Sequence, residues 1–487
     1  MDKKDAISRL IQKNRAFFSY LLSLDEKERE PERAIQLASL AARFAADYPI
    51  GCLSSTRLET LLLKYAKDLP RPAPEEAKPR SFLHVFTQAM SMGGHTRMAE
   101  RWVQNRKDKD EIHHLALTMP FSGELPLLIQ EAFPSPSVFS PSSSSYLERA
   151  RFLRNLAMGY ERIILYHHMD DPVPILAFGT ADFPRPVFIY NHADHCFWIG
   201  VSIADLVLEL STRGSEFSRT KRGVIHHKIL PIPLKELEPL HLSKEESRKK
   251  LGLPQDKKVI LSLGATHRYW NRGDKNFQKL MLDLLKARDD IFFLMLGATS
   301  KKKYWAAIRN SPFKERVLFH PQVPREELED FLFAADLYLE AYPKGSGTGS
   351  MEVVLYKIPA VLIRNDFAQF DSYRDFCTPF EEVLSQVLNI LDKGIPEYVL
   401  EERRKAIIDH HYPHAWNQRL EEILAKAPSR HQIHPFQEPP CEIDELSQIL
   451  ALNQKKYSSF FRNPLFQSLP FFLKIRIRSN GLFKGIF

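Results

Sequence analysis

Apolar positions in the first 68 residues recur at helical spacing. In "AIQLASLAARFAADY", Ile35, Leu37, Leu40, Phe44 and Ala45 build one apolar stripe. "STRLETLLLKYAKDL" opens on a Ser-Thr pair of the N-cap type and repeats the pattern. Four prolines within "LPRPAPEEAKPR" (69–80) then end helical character, because proline cannot sustain a helix interior.

From residue 82 the pattern changes to short β-rich runs separated by helical stretches. "FLHVF", "HLALTM", "RIILYHH", "PVFIYNH" and "DLVLEL" read as strands, "SPSVFSPSSSSY" (135–146) as a loop, and "KILPIPL" closes the block near 234. A more regular block begins near 248, with strands expected at "VILSLGA" (259–265), "IFFLMLG" (291–297), "RVLFHP" (316–321), "LYLEAYP" (337–343) and "AVLIR" (360–364). Strands that alternate with helices imply right-handed βαβ units and a parallel sheet. The expected fold class is therefore α/β. Two tandem Rossmann-like domains follow a helical N-terminal extension, with ligands expected in a cleft at the carboxyl ends of the strands. The expected segments are 1–78 (helical region and Pro-rich linker), 79–235, 236–426, and a helical, basic tail at 427–487.

Composition narrows the class. At 44% apolar and 26% charged residues the 487-residue chain has enough apolar content for real cores, and overall disorder is excluded. The formal charge of +8 suits anionic partners, or is a modest excess over a long chain. Basic residues do not interleave with aromatics in an RNA-binding pattern, so no nucleic-acid partner is expected. Cys52, Cys196, Cys377 and Cys441 are scattered, without metal-ligand spacing or a dense disulfide framework, which favours a reducing compartment. "MDKKDAISRLIQKNR" lacks an apolar signal region and no run is long enough to span a bilayer, so a cytoplasmic protein is expected. The last stretch, "SLPFFLKIRIRSNGLFKGIF", mixes bulky apolar residues with Lys474, Arg476, Arg478 and Lys484 and has no acidic residue. It suits peripheral contact with the inner face of an anionic membrane, or an edge strand or packing segment.

The most informative stretch is "LYLEAYPKGSGTGSMEVVLYKIPAVLI" (337–363). A strand ends near Pro343, "KGSGTGS" follows, and a helix begins near Met351. Gly345, Gly347 and Gly349 alternate with Ser346, Thr348 and Ser350. Glycine lets backbone N–H groups approach phosphate oxygens, and a helix N-terminus offers unpaired donors and partial positive charge. The loop is neither a Walker loop nor a GxGxxG, and as a bare pattern it suits a flexible turn equally.

With Glu352 seven residues before Pro359, this segment resembles the donor loop of the nucleotide-sugar-dependent glycosyltransferases of the GT-B architecture. "SLGATHRYWNRGDKNF" (262–277) and "VLFHPQVPREELEDFLFAADLYLE" extend the resemblance, which covers roughly 82–425. It implies that Ser346, Gly347, Thr348, Gly349 and Ser350 face the donor diphosphate, and that Glu352 binds the ribose. Arg268, Arg272 and Lys275 become candidates to neutralise the leaving diphosphate, without a metal or any other cofactor. The backbone near Pro321-Gln322-Val323 would hold the base. Retaining members with paired glutamates would carry one at position 344, where this chain has Lys344. "GSGTGS" looks closer to transferases related to O-GlcNAc transferase, so the stereochemical outcome stays open.

In the first block, "MGGHTR" (92–97) falls where the GT-B architecture has a glycine-rich turn after the first strand. Gly93 and Gly94 would admit donor or acceptor, and His95 is a candidate general base or a histidine packed on the turn. His192, Asp194 and His195 in "YNHADHCFWIGVSIAD" form a second candidate acid/base set, or histidines held by loop backbone. HxxH alone is a weak zinc signal without the HExxH glutamate or a third ligand, so no metal is assigned. Phe197 and Trp198 read as a sugar-stacking platform or as core, and His167, His168, Asp170 and Asp171 are weaker candidates. The resemblance thus implies a metal-independent glycosyltransferase moving a sugar from a nucleotide-diphosphate donor, UDP-sugar being expected, to a protein, glycan or lipid-linked acceptor. The alternatives are a non-hydrolysing UDP-sugar epimerase or a non-catalytic nucleotide-sugar-binding scaffold.

Overall fold

The computed structural model describes residues 3–90, 94–237, 242–271, 274–324, 327–365, 370–452 and 454–480. The chain forms two compact units, Met1–Pro233 with Asn417–Phe487, and Leu234–Trp416.

The first unit holds seven strands: β1 (Lys78–Phe86), β2 (Ile112–Leu117), β3 (Val138–Phe139), β4 (Tyr160–Leu165), β5 (Val187–Asn191), β6 (Leu206–Glu209) and β7 (His227–Ile229). Their order is β3-β2-β1-β4-β5-β6-β7, and every pairing is parallel. β3 falls within the stretch 135–146 that the sequence pattern marks as a loop, because two residues flanked by Ser and Pro carry too little pattern to register. Alternation along β1 sends Leu83 and Val85 into one buried cluster, while His84 lies against Trp102 of the helix Gly94–Arg106, ring centres 5.5 Å apart. Both faces are thus covered, as a parallel sheet requires.

The N-terminal helices, Lys3–Asp25, Pro31–Asp47 and Thr56–Ala66, are not a separate extension. Their apolar stripe (Leu21, Ile35, Leu40, Phe44, Leu58) joins the same buried cluster as Leu83, Ile163 and Val187. Two buried charges lock them there. Glu59 accepts the backbone N–H groups of Gly200, Val201 and Ser202 at 2.8, 3.0 and 2.8 Å. Arg154, 1% exposed, donates to the carbonyls of Ala66, Leu176 and Ala177 at 3.1, 3.0 and 2.6 Å. One guanidinium thereby satisfies the orphan carbonyls at the ends of two helices. It also reaches Leu69 and Pro70, so the Pro-rich stretch is pinned rather than a free linker.

The C-terminal segment, expected as a tail, also belongs to this core. Phe460 packs edge-on against Phe17 and Phe44, with centroids 5.6 and 5.3 Å away, and the Tyr48 hydroxyl donates to the Lys456 carbonyl at 2.9 Å. Cys52 and Cys441 are joined in a disulfide across 389 residues of sequence, a pairing that scattered spacing could not announce. The last described stretch is a helix, Phe471–Arg478, rather than an edge strand.

The second unit holds β8 (Lys258–Leu263), β9 (Ile291–Leu296), β10 (Val317–His320), β11 (Leu337–Leu339), β12 (Ala360–Ile363) and β13 (Cys377–Thr378), all parallel, in the order β10-β9-β8-β11-β12-β13. The two-residue β13 is the strand here that the pattern did not predict. In both sheets the order reverses beside the first strand, between β1 and β4 and between β8 and β11. Among the described residues no helix is long and apolar enough to cross a membrane.

Replacing Arg154 with Met leaves the buried carbonyls of Leu176 and Ala177 without the guanidinium donor and strips it from that of Ala66, which also accepts the Leu69 N–H at 3.4 Å. The variant should lose about 3 kcal/mol or more of unfolding free energy in urea titration, an effect absent if the N-terminal helices were loosely attached.

Candidate functional site

In the second unit, the loops after β8 and β11 flank the strand-order reversal, the position at which open α/β sheets bind ligands. β11 is followed by Glu340 and then by the Gly345–Ser350 turn into the helix Thr348–Leu355. Gly347 takes φ +63°, and no side chain caps the helix start. The first-turn N–H groups of Gly349 and Ser350 make i−3 hydrogen bonds of 3.3 and 3.1 Å to the Ser346 and Gly347 carbonyls.

Glu340, missed from the sequence, is the floor of this loop. It is fully buried, accepts Ser350 Oγ–H at 2.8 Å and the Ile363 N–H at 2.9 Å, and burial pushes its carboxyl up to about 7. The Tyr338 hydroxyl lies 2.9 Å from Ser346 Oγ and 3.0 Å from Ser350 Oγ, and Ser346 Oγ donates to the Leu263 carbonyl. The hydroxyls of Ser346 and Ser350 are therefore committed inward. They shape the turn, and the backbone N–H groups and Thr348 are what it presents. A Cβ on Gly345 would stand 2.5 Å from Glu340 Oε1, so glycine is required there by close packing. A carboxylate interrupting the apolar run "LYLEAY" just before a glycine turn was the available signal.

Arg268 is brought to the same loop: its guanidinium donates to the Gly345 carbonyl, and its own carbonyl accepts the Lys344 N–H at 3.3 Å. Nearby His267 is held below its ordinary pKa by burial and then by the charges of Arg268 and Lys344. The field over the turn is thus positive, and Lys344 contributes to it where a glutamate would have opposed it. Lys275 is placed differently, in an ion pair with Glu381 at 2.7 Å. Arg272 lies outside the described residues. Glu352 is buried in the first turns of the helix, at 4% exposure.

In the first unit the corresponding reversal gathers histidines. His95 opens the helix after β1, His167 and His168 follow β4, and His192 follows β5. The His95 ring centre lies 5.3 Å from His192 and 5.9 Å from His168. Burial, then the neighbouring His168, lowers His95 to about 4, and burial with the surrounding histidines lowers His192 to about 3. Both rings are therefore neutral at pH 7, with a lone pair able to accept a proton. His95 Nε2 is buried and has no hydrogen-bond partner. Gly93 lies outside the described residues, while Gly94 is exposed, and a Cβ there would meet no atom within 4 Å.

His195 does not join this group electrically. Its Nδ1 lies 3.0 Å from Asp194 Oδ1, and Asp194 also takes Arg213 at 2.9 Å. Although burial opposes it, Cys196 and Asp194 hold His195 up at about 9, so it is already protonated at neutral pH and unsuited to accept a proton. Asp171 accepts Thr87 Oγ1–H at 2.7 Å and the Val173 N–H at 3.0 Å, and His167 Nε2 bonds the Ile199 carbonyl at 2.7 Å. These two hold loops. Asp170 is paired with Arg43 at 3.8 Å. Phe197 and Trp198 are core, 2% and 3% exposed, with Arg222 over the Trp198 ring rather than a sugar. Among the described residues, the one group of three with metal-ligand spacing is Cys52, Glu438 and Cys441, remote in kind from this site because its sulfurs are joined.

No family model matches the sequence. A Bacillus subtilis (strain 168) protein named for teichuronic acid biosynthesis as a glycosyltransferase, TuaC, is 26% identical over 182 residues, 36% of this chain and 43% of that protein. The match thus spans less than half of that relative's length. Among solved structures, Anabaena HepE in complex with UDP matches with a TM-score of 0.51 at 13% identity, over 71% of this chain and 99% of that one. The lipopolysaccharide outer core galactosyltransferase WaaB gives 0.53 at 11% identity, over 71% and 99%. TarM gives 0.53 at 9% identity, over 72% and 98%. The fold is the two-domain GT-B architecture that the sequence resemblance implied.

Gly345→Ala should lower the melting temperature, with a loss of about 1–3 kcal/mol from overpacking. Gly349→Ala should not, since its Cβ would meet Leu263 Cδ1 and Ser346 Cβ at an ordinary 3.5 Å. Equal melting of the two variants would contradict the packing described. The pH response of His95 is separable too. Its folded pKa lies below its unfolded one, so its contribution to stability is present above pH 6.5 and is lost as pH falls toward 4. Glu209 and Glu340, both pushed up to about 7 by burial, pull the other way between pH 4.5 and 7. The histidine effect is therefore read as a difference. Relative to His95→Gln, the wild type should lose up to about tenfold in folding equilibrium constant per pH unit across that window, measured by chemical denaturation at each pH.

Proposed function

We propose that the chain is a glycosyltransferase that moves a sugar from a nucleotide-diphosphate donor to a glycan acceptor. The observation that carries this reading is the loop Gly345–Ser350. It combines an uncapped helix start, a left-handed Gly347 and the Arg268 and Lys344 field at the strand-order reversal of the second unit. Such a turn suits a diphosphate, which takes backbone N–H donors and positive charge. In this reading Gly347, Thr348, Gly349 and Ser350 offer backbone donors to the diphosphate, and Arg268 neutralises charge as it leaves. Glu352, one turn further, accepts from the ribose hydroxyls.

The first unit binds the acceptor, and neutral His95 or His192 takes the proton from its hydroxyl. Their low pKa values make them weak bases in the free protein, and an anionic group of the substrate bound beside them would raise them toward the optimum. With fixed cations in place of a divalent ion, the reaction is metal-independent. Uridine is the nucleotide of choice because HepE was solved with UDP. An envelope glycan is the preferred acceptor because TuaC is named for teichuronic acid biosynthesis.

Titration calorimetry with UDP, in the presence of EDTA, tests the donor half. The wild type should bind. Glu352→Ala should weaken binding at least about tenfold, the worth of one charge-assisted hydrogen bond. Gly349→Ala should weaken it without loss of stability. Failure of the wild type to bind any nucleoside diphosphate, or equal binding by Glu352→Ala, would remove the basis of this reading.

A further inference from the structure

The helix Phe471–Arg478 uses its two faces for different purposes. Leu473 and Ile477 point into the core of the first unit, 3% and 0% exposed. Phe471, Phe472 and Ile475 are 77%, 57% and 50% exposed, three of the eight large apolar side chains most exposed among the described residues. At 100° per residue these three share an arc of about 100°, opposite the buried pair. Arg476 and Arg478 border that arc and are exposed, and Lys474 stands beside it, half-buried. The helix is held at a fixed height: the Tyr20 hydroxyl donates to the Arg476 carbonyl at 3.0 Å, and Arg478 lies over the Phe466 ring at 5.5 Å.

The charge along this segment has one sign. Residues 446–487 contain Lys455, Lys456, Arg462, Lys474, Arg476, Arg478 and Lys484 and no Asp or Glu. Of the six described, Lys455 alone is in an ion pair that the structure shows, with Asp47 at 2.8 Å. A soluble surface would normally mix signs around exposed phenylalanines, and an exposed apolar face with a purely cationic rim marks a site for an anionic surface. Bulky aromatics flanked by arginine on the outward face of a short, anchored helix fit the boundary between acyl chains and anionic headgroups.

We propose that Phe471, Phe472 and Ile475, with Arg476 and Arg478 at their rim, dock the protein onto an anionic phospholipid bilayer. The aromatic side chains enter the headgroup–acyl boundary while the guanidinium groups stay at the phosphates. Each basic group near such a surface contributes about fivefold in affinity, an effect screened by salt. Neither signal alone gives firm attachment, and the helix carries both. The inference stands on this face alone and does not depend on the sugar-transfer reading.

Sedimentation of the full-length protein with vesicles tests it. The wild type should sediment with phosphatidylcholine vesicles containing phosphatidylglycerol, far less with phosphatidylcholine alone, and less as salt rises. Phe471→Ser, Phe472→Ser and Ile475→Ser together should weaken vesicle binding at least about tenfold, with an unchanged melting temperature and unchanged UDP titration. Arg476→Glu should weaken it at low salt. The proposal is overturned if the wild type sediments with neither vesicle, or if the triple variant sediments like the wild type. It is also overturned if vesicle binding is absent while light scattering shows a dimer that the triple variant dissolves, since the face would then be covered by a second copy. Loss of binding on removing residues 481–487, with the triple variant unaffected, would place the contact elsewhere and equally overturn it.

Discussion

A crossover between parallel strands is as a rule right-handed, and both sheets of this protein grow in two directions from their first strand. In the first unit β2 and β3 lie to one side of β1 and β4–β7 to the other; in the second, β9 and β10 lie to one side of β8 and β11–β13 to the other. Where the direction changes, the loops that leave neighbouring strands turn to opposite faces and part. His95, His168 and His192 collect at one such gap and Arg268 with the Gly345–Ser350 turn at the other. The candidate chemistry of both units is a consequence of strand order before it is a consequence of any single residue.

The gaps are useful because buried polar groups hold their rims in shape. Glu340 and Tyr338 sit beneath the glycine turn and absorb the hydroxyls of Ser346 and Ser350, so the turn shows backbone donors upward. Glu340 carries a penalty for this, visible in the upward push on its carboxyl from burial. In the first unit the penalty falls on the histidines, crowded and desolvated until they are neutral. His195, three residues beyond the neutral His192, is kept charged against burial by Cys196 and Asp194. Three positions of sequence separate two opposite protonation states, set by burial among other histidines at one ring and by Cys196 and Asp194 beside the other.

Much of the architecture was legible. The β-rich runs of β1, β8 and β9, alternating with helical stretches, announced parallel strands, and "KGSGTGS" announced a strand-to-helix turn. The strands that escaped, β3, β7 and β13, are two or three residues each and borrow their order from neighbours. The site was half legible. Arg268 lies against the glycine turn through the Gly345 carbonyl, whereas Lys275 pairs with Glu381, and Glu340, inside an apolar run, is a residue the pattern does not single out. A residue's type shows what it is able to do, but its nearest charge decides what it does.

Local pattern alone determined the α/β class, the two sheets, the glycine turn and the basic, aromatic character of the C-terminal segment, because periodicity and turn chemistry act over a few neighbouring residues. Tertiary structure alone decided that the N-terminal helices and the C-terminal segment share one core, through contacts such as Phe17 with Phe460 and the disulfide between Cys52 and Cys441. It decided which histidines are neutral and which is charged, and which face of Phe471–Arg478 is left outward. Those outcomes rest on burial and on charge pairs brought together from distant parts of the chain, and a linear pattern does not carry distance.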